Sequence, residues 1–227
     1  MSSQEEPRDA QPASSNADST THSDESLPEW TCHVGIATEK NGRWRRTMED
    51  AHLYLQDFDN VPGQGYFAIF DGHAGKFAAE WCRDNMNRIL SEELNVCPHM
   101  DVREVMRNAF LKADEQLETE SRSAGVRSGC TAVTSLIRLE SDDSDQNKPR
   151  RRVLYTANVG DARSVLWYVD TSLCRLQLLT MNASRGGKAI RLTYDHKGSD
   201  EFESKRITEK GGFLLNNRVN GACYLCV

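Results

Sequence analysis

Five consecutive apolar residues, Tyr66–Phe67–Ala68–Ile69–Phe70, run into Asp71–Gly72–His73. An apolar run this short, without polar alternation, predicts a strand buried on both faces that ends abruptly at Asp71. A strand of that kind needs a layer on each side, so the rest of the chain must supply them. Residues 31–38 alternate around Val34 and Ile36 and read as a strand, and residues 52–58 read as a second one. Asn60–Val61–Pro62–Gly63 is turn chemistry. Residues 77–94 place Phe77, Trp81, Met86, Ile89 and Leu90 at helical spacing. A second helix is expected after Asp101, an N-cap with Glu104 three residues on; Val102, Val105, Met106, Ala109, Phe110, Ala113 and Leu117 form its apolar stripe. Residues 131–139 predict a strand, and residues 140–152 a charged loop. Residues 153–159 and 162–168 predict a strand pair around the turn Gly160–Asp161. Strands, two helices and then further strands in hairpin-like succession give an α+β class with antiparallel sheets.

Charge divides the chain. Residues 1–29 carry seven acidic residues and one arginine, three of the six prolines and seven serines. Their net charge of −6 equals that of the whole chain, so the remainder is balanced. A segment this polar cannot bury enough surface to offset its chain entropy, so residues 1–29 are expected to be a disordered acidic tail and residues 30–227 the folded domain. The balance does not favour a nucleic-acid or anionic-membrane binder. No run of eighteen apolar residues exists, so no transmembrane helix is expected, and the first residues lack the pattern of a secretory signal. Seven cysteines, an odd number without a dense framework, read as reduced thiols. Lys148–Pro149–Arg150–Arg151–Arg152 fits either solvated loop charge, the favoured reading, or a nuclear import signal. The expected location is the cytoplasm, with the nucleus as an extension of it.

Carboxylates at strand ends carry the chemistry. Glu49–Asp50 precede one strand, Asp71–Gly72–His73 end the apolar run, and Asp161 sits in the turn Val159–Gly160–Asp161. Hard divalent cations prefer oxygen ligands, with few from protein and the rest from water. Taken singly, each of these aspartates reads equally as a cap or turn residue. Arg45 can clamp phosphate oxygens bidentately, or be one surface base among several. His73 can protonate a leaving alcohol, or be a structural histidine. Together the groups suit metal-assisted attack of water on a phosphate ester.

Six stretches in order resemble the metal-dependent protein serine/threonine phosphatases of type 2C, and among them the small fungal members. They are Arg45–Arg46–Thr47–Met48–Glu49–Asp50–Ala51–His52, the stretch from Tyr66 to Gly75, Ser128–Gly129–Cys130–Thr131–Ala132, the stretch from Tyr155 to Arg163, Arg191–Leu192–Thr193–Tyr194–Asp195–His196–Lys197, and Arg206 to Gly212 followed by Arg218–Val219–Asn220–Gly221. The resemblance implies a β-sandwich of two antiparallel sheets flanked by helices, with a dimetal centre at one edge. It implies Asp71 as the metal-bridging ligand, the Gly72 carbonyl as a ligand, and Glu49 and Asp50 as carboxylates holding metal or its water. Arg45 becomes the phosphate-binding arginine, His73 the general acid, and Asp161 a ligand at a third, weaker metal position. The implied cofactors are two Mg²⁺ or Mn²⁺ ions, with that third position beside them. The implied partners are phosphorylated protein substrates, with stress-activated MAP kinases as the setting, and a monomeric chain.

Two departures bear on activity. The family continues beyond a counterpart of Gly221 into more strands and two further metal-binding aspartates, whereas six residues follow here. The sandwich is therefore expected to be incomplete at its C-terminus and catalysis impaired. Residues 168–189 also replace a short hairpin with a longer run, in which residues 173–181 read as an extra strand. Both runs resemble translated intron. Cys223 and Cys226 make a C-x-x-C that reads weakly as half a zinc site. Alternatives to the enzyme are a catalytically dead fragment binding kinases or phosphoproteins, and a mis-spliced product.

Overall fold

The structure, a computed structural model, describes residues 32–141, 150–168, 188–215 and 218–220. Its centre is a four-stranded antiparallel sheet of β1 (Ala51–Gln56), β2 (Gly65–His73), β3 (Gly129–Glu140) and β4 (Arg151–Val159), ordered β1-β2-β3-β4. Between β2 and β3 the chain forms α1 (Phe77–Val96) and α2 (Val102–Ala124), which pack on each other and on one face of this sheet. Register decides which face. Phe70 pairs with Ala51 and Ala132, Ala68 with Leu53 and Thr134, and Tyr66 with Leu55 and Leu136. Across the next ladder Ala132, Thr134 and Leu136 face Val159, Ala157 and Tyr155. Period-two alternation turns this whole set to one side. There it meets Ala78, Ala79, Cys82, Met86, Ile89 and Leu90 of α1 and the expected stripe of α2 in one core. Asp101 caps α2 as expected, its side chain accepting from the Arg103 N–H at 2.8 Å.

Several expectations need correction. β2 is buried on one face rather than two: Tyr66, Ala68 and Phe70 are buried, while Ile69 is 53% exposed. Its apolar run is nearly continuous because the outer face is also partly covered, with Tyr54 stacked on Phe67 at 5.0 Å. Nor does β2 stop at Asp71; Asp71, Gly72 and His73 pair with Thr131, Cys130 and Gly129. Residues 32–38 form no strand, since an alternating segment becomes one only where a ladder partner meets its N–H and C=O groups. Instead residues 34–38 line a groove of about 340 Å³ beside His52, Tyr54, Phe67 and Ile69 on the sheet's outer face. Finally, residues 153–159 and 162–168 are not a hairpin. β4 pairs with β3, whereas β5 (Val165–Tyr168) pairs with β6 (Lys188–Arg191). That ladder ends at Tyr168 opposite Lys188, and the run between them lies outside the described residues. The extra strand expected at 173–181 lies outside the described residues, as do residues 1–29, Cys223 and Cys226. Arg151 and Arg152, expected in the charged loop, begin β4 because the β3–β4 ladder extends to Glu140 opposite Arg151.

The remaining described elements are a 3-10 turn at Phe58–Asn60, which stops the strand expected over 52–58 at Gln56, and α3 (Glu201–Glu209), β7 (Phe213–Leu215) and β8 (Arg218–Asn220), with β7 and β8 forming a second two-stranded ladder. The class is α+β, with antiparallel sheets and flanking helices as expected.

Candidate active site

Strand alternation places Asp71 and His73 on the same side as Ile69, away from the helices. Gly72 falls between them on the inner side, where a Cβ would lie 2.2 Å from the Glu49 carbonyl oxygen and 3.2 Å from the Ala79 Cβ. Glycine at 72 therefore lets the segment entering β1 close against β2, bringing Glu49 and Asp50 beside Asp71. Glu49 is held from two directions: the Thr47 hydroxyl donates to Oε1 at 2.9 Å, and the Gly75 N–H donates to Oε2 at 3.3 Å. That second bond depends on a reversal in which Ala74 and Gly75 both take positive φ, 56° and 121°.

Asp71 titrates above the ordinary aspartate range. Burial is the main cause; the charges of Asp50 and Asp161 and a hydrogen bond with Asp50 add to it, and only His73 opposes. The negative charges of Asp50 and Asp161 thus act on Asp71 with little cationic compensation. Arg45 lies on the turn leading into this group, exposed and without an ion pair among the described residues. The His73 side chain is exposed and makes no hydrogen bond among the described residues.

Asp161 is positioned by a different device. It follows Gly160, at φ 77°, where a Cβ would come within 2.6 Å of Thr131 Cγ2. The His196 N–H donates to the Gly160 carbonyl at 2.8 Å, and Asn158 Nδ2 donates to the Tyr194 carbonyl at 2.6 Å. Lys197 Nζ lies 3.6 Å from the Asp161 carboxylate. Beneath this seam Asp195, 8% exposed, accepts from Arg163 Nε at 3.1 Å and pairs with Arg191 at 2.5 Å. The hydrogen bond from Arg163 first, and then the surrounding cations, hold the Asp195 carboxyl below the ordinary range.

Residues 34–225 match the family description "Protein phosphatase 2C". The chain belongs to the protein phosphatase 2C family. It is 41% identical over 196 residues to Protein phosphatase 2C homolog 1 of Saccharomyces cerevisiae, covering 84% of this chain and 63% of the relative. It is 40% identical over 188 residues to Protein phosphatase 2C homolog 1 of Schizosaccharomyces pombe, covering 83% of this chain and 47% of the relative. The chain therefore spans between about half and just under two thirds of the length of these relatives. Among solved structures, a serine-threonine phosphatase 2C from Toxoplasma gondii aligns with a TM-score of 0.55 at 21% identity, over 78% of this chain and 57% of that one. A Caenorhabditis elegans sex determining protein aligns with a TM-score of 0.55 at 23% identity, over 80% of this chain and 40% of that one. These likenesses carry the fold.

The phosphatase 2C family is metal-dependent, and the donors here can be weighed against that. Mg²⁺-type ions are commonly held by one or two carboxylates, with water completing the shell. Asp71, its pKa raised by burial and by the neighbouring Asp50 and Asp161 carboxylates, fits that donor chemistry together with Asp50. Among the described residues no three His, Cys, Asp or Glu side chains converge into a closed cage. The structure brings Asp50, Asp71, Asp161 and His73 into one electrostatic neighbourhood, with Glu49 braced beside Gly75. It gives Gly72 a packing role and leaves Arg45 exposed on the turn before Glu49, without a contact to these carboxylates among the described residues. Sequence reasoning gave no role to Asp195, Arg163 and Arg191. The available signal was an aspartate between bases in a segment poor in large apolar residues.

Proposed function

We propose that this chain carries the catalytic face of a protein serine/threonine phosphatase, hydrolysing phosphoserine and phosphothreonine esters. The crowded pair Asp50–Asp71 carries the reading, because carboxylates pressed together with so little positive charge suit a divalent cation. Family membership supports the same activity. Mg²⁺ or Mn²⁺, held by Asp71 with Asp50, Glu49 and the Gly72 carbonyl contributing, would supply Lewis acidity and a water activated for attack. The chain's own residues do the rest. Arg45, unpaired and exposed, binds phosphate oxygens through its planar fork. His73, on the same strand face as Asp71, delivers a proton to the departing seryl or threonyl oxygen. Glu49, fixed by Thr47 and Gly75, accepts hydrogen bonds from ordered water. Asp161 stands at the rim as an additional, weaker cation ligand. No cysteine or serine nucleophile is required. We place the protein in the cytoplasm with access to the nucleus, as a monomer acting on phosphoproteins that include stress-pathway kinases.

A second reading, a non-catalytic module that binds phosphoproteins, is favoured by the absence of a closed three-donor cage among the described residues. The two separate in one experiment: hydrolysis of p-nitrophenyl phosphate and a phosphothreonine peptide across a Mn²⁺ titration. The enzyme reading expects turnover that rises with metal, vanishes with chelator and is abolished in a folded Asp71→Asn protein. Near-normal turnover in Asp71→Asn, or none in the parent at any metal concentration, overturns it.

A further inference from the structure

Residues 40–46 place Lys40, Arg43, Arg45 and Arg46 within seven positions, with no acidic residue among them. The segment is a built turn. Asn41 takes a left-handed conformation, φ 56°, and its carbonyl accepts from both the Trp44 N–H at 2.8 Å and the Arg45 N–H at 3.0 Å. The Asn41 N–H donates to Glu39 Oε1 at 2.7 Å, tying down the entry. Lys40 Nζ reaches the Arg46 carbonyl at 3.5 Å and closes the turn across its base. Trp44 is 73% exposed, and the Arg43 guanidinium lies 5.0 Å from its ring centroid. Among the described residues none of the four cations is paired with a carboxylate, whereas several exposed arginines elsewhere in the chain are paired (Arg83–Asp84, Arg88–Glu92, Arg122–Glu118). Four unpaired cations in a chain balanced over residues 30–227 are a local excess of positive charge on a preorganised scaffold.

The position of this turn matters. Arg46 is four residues from Asp50, so the two Cα atoms are at most about 14 Å apart. An extended peptide covers roughly 3.3 Å per residue. A peptide with its phosphate at Asp50 and Asp71 therefore presents side chains two to four positions away to this turn.

We propose that the turn of residues 40–46 is a docking surface for acidic residues flanking the phosphorylated residue of a peptide substrate. The proposal deepens the phosphatase reading of the neighbouring carboxylates and rests on it. Arg45 addresses the phosphate; Lys40, Arg43 and Arg46 address the flanking carboxylates, and the exposed face of Trp44 supports an adjoining side chain. Exposed pairs contribute little singly, but three acting together give a measurable preference.

The test is fluorescence anisotropy with the full chain and two labelled phosphothreonine peptides, one flanked by aspartates and one by asparagines, each also in unphosphorylated form. At low salt the aspartate peptides should bind on the order of 10-fold tighter than the asparagine peptides. The preference should collapse in a Lys40→Ala/Arg43→Ala/Arg46→Ala protein and at high salt, where exposed charges are screened. It should persist in an Arg43→Lys/Arg46→Lys protein, which keeps the charge. Hydrolysis of p-nitrophenyl phosphate, which has no flanks, should be unchanged in the alanine variant. Equal binding of the two peptides, or a preference that survives the alanine substitutions, overturns the proposal. A preference that depends on the turn in a protein without any hydrolysis upholds the docking surface and counts against the phosphatase reading instead.

Discussion

The two halves of this molecule are held together by different forces. From β1 to β4 the chain is organised by one apolar core running from Ala51 to Val159, in which Tyr66, Phe70, Ile89, Leu117 and Leu136 are wholly buried. From β5 onward the large apolar residues that the structure describes are mostly outside: Trp167 is 64% exposed, Phe202 82% and Phe213 62%. Among the described residues, what is buried there besides Ile207 is polar: Thr193, Asp195 and Glu203. The seam is closed by directed bonds, with the Ser164 N–H donating to Thr193 Oγ1 at 2.9 Å and the Leu192 N–H to the Ser164 carbonyl at 2.9 Å. Burial is non-directional and scales with area, whereas this clamp depends on a few geometries and on ionisation. The carboxylates divide the same way: Glu49, Asp50 and Asp71 belong to the apolar half, and Asp161 hangs from the polar one.

The largest expected effect is on the apolar half. Leu136→Ala removes a fully buried side chain from the core between sheet and helices and should cost about 3 kcal/mol, seen as a lower denaturant midpoint in β1–β4 probes. A loss below about 1 kcal/mol would show that this core is loosely packed. Next comes the clamp. Asp195→Asn keeps the shape but loses the charge opposite two half-exposed arginines, so roughly 1–2 kcal/mol should be lost. Hydrogen exchange should quicken in Val165–Tyr168 and Lys188–Arg191 while β2 and β3 stay protected. Uniform loss of protection would make the halves one cooperative unit.

Acid should move the halves in opposite senses. Asp195 is held below the ordinary aspartate value of 3.8, so its stabilisation is complete above that value and is lost as pH falls through the lower folded one. Asp71 is held above 3.8, so its ionised form opposes folding, and the strain is relieved as pH falls through its raised value. Metal-free protein should therefore firm slightly around Asp71 on mild acidification, before the β5–β6 seam loosens below pH 3.8. By the same argument, Asp71→Asn should raise the thermal midpoint of the chelated protein slightly while removing activity; a lowered midpoint would mean that the carboxylate does structural work. The smallest effect is expected at the surface. Lys76→Ala breaks the exposed pair with Glu80 and should change stability by less than about 0.5 kcal/mol in the same denaturant titration.

The apolar half was largely legible in advance because periodicity reports burial directly. The stripe from Val102 to Leu117 could face only a core, and α2 buries all of it. The site was legible in composition, since carboxylates at strand ends with an arginine and a histidine pointed to phosphate and metal chemistry. Its assembly was not. Asp50 and Asp71 meet because Gly72 admits the Glu49 backbone, a contact between residues far apart in sequence that leaves no local pattern. The polar half was least legible, because Arg163 and Asp195 are thirty-two positions apart and each alone reads as surface charge.

Local sequence alone determined the two helices, the cap at Asp101 and most strands of the central sheet, since spacing and side-chain chemistry act within a few residues. Only tertiary structure decided that β2 would bury one face, that residues 32–38 would form no strand, and that β4 and β5 would part into separate ladders. Each of those outcomes depends on which distant segment supplies the missing hydrogen bonds and covers the exposed face, and chain pairing is a property of the whole fold.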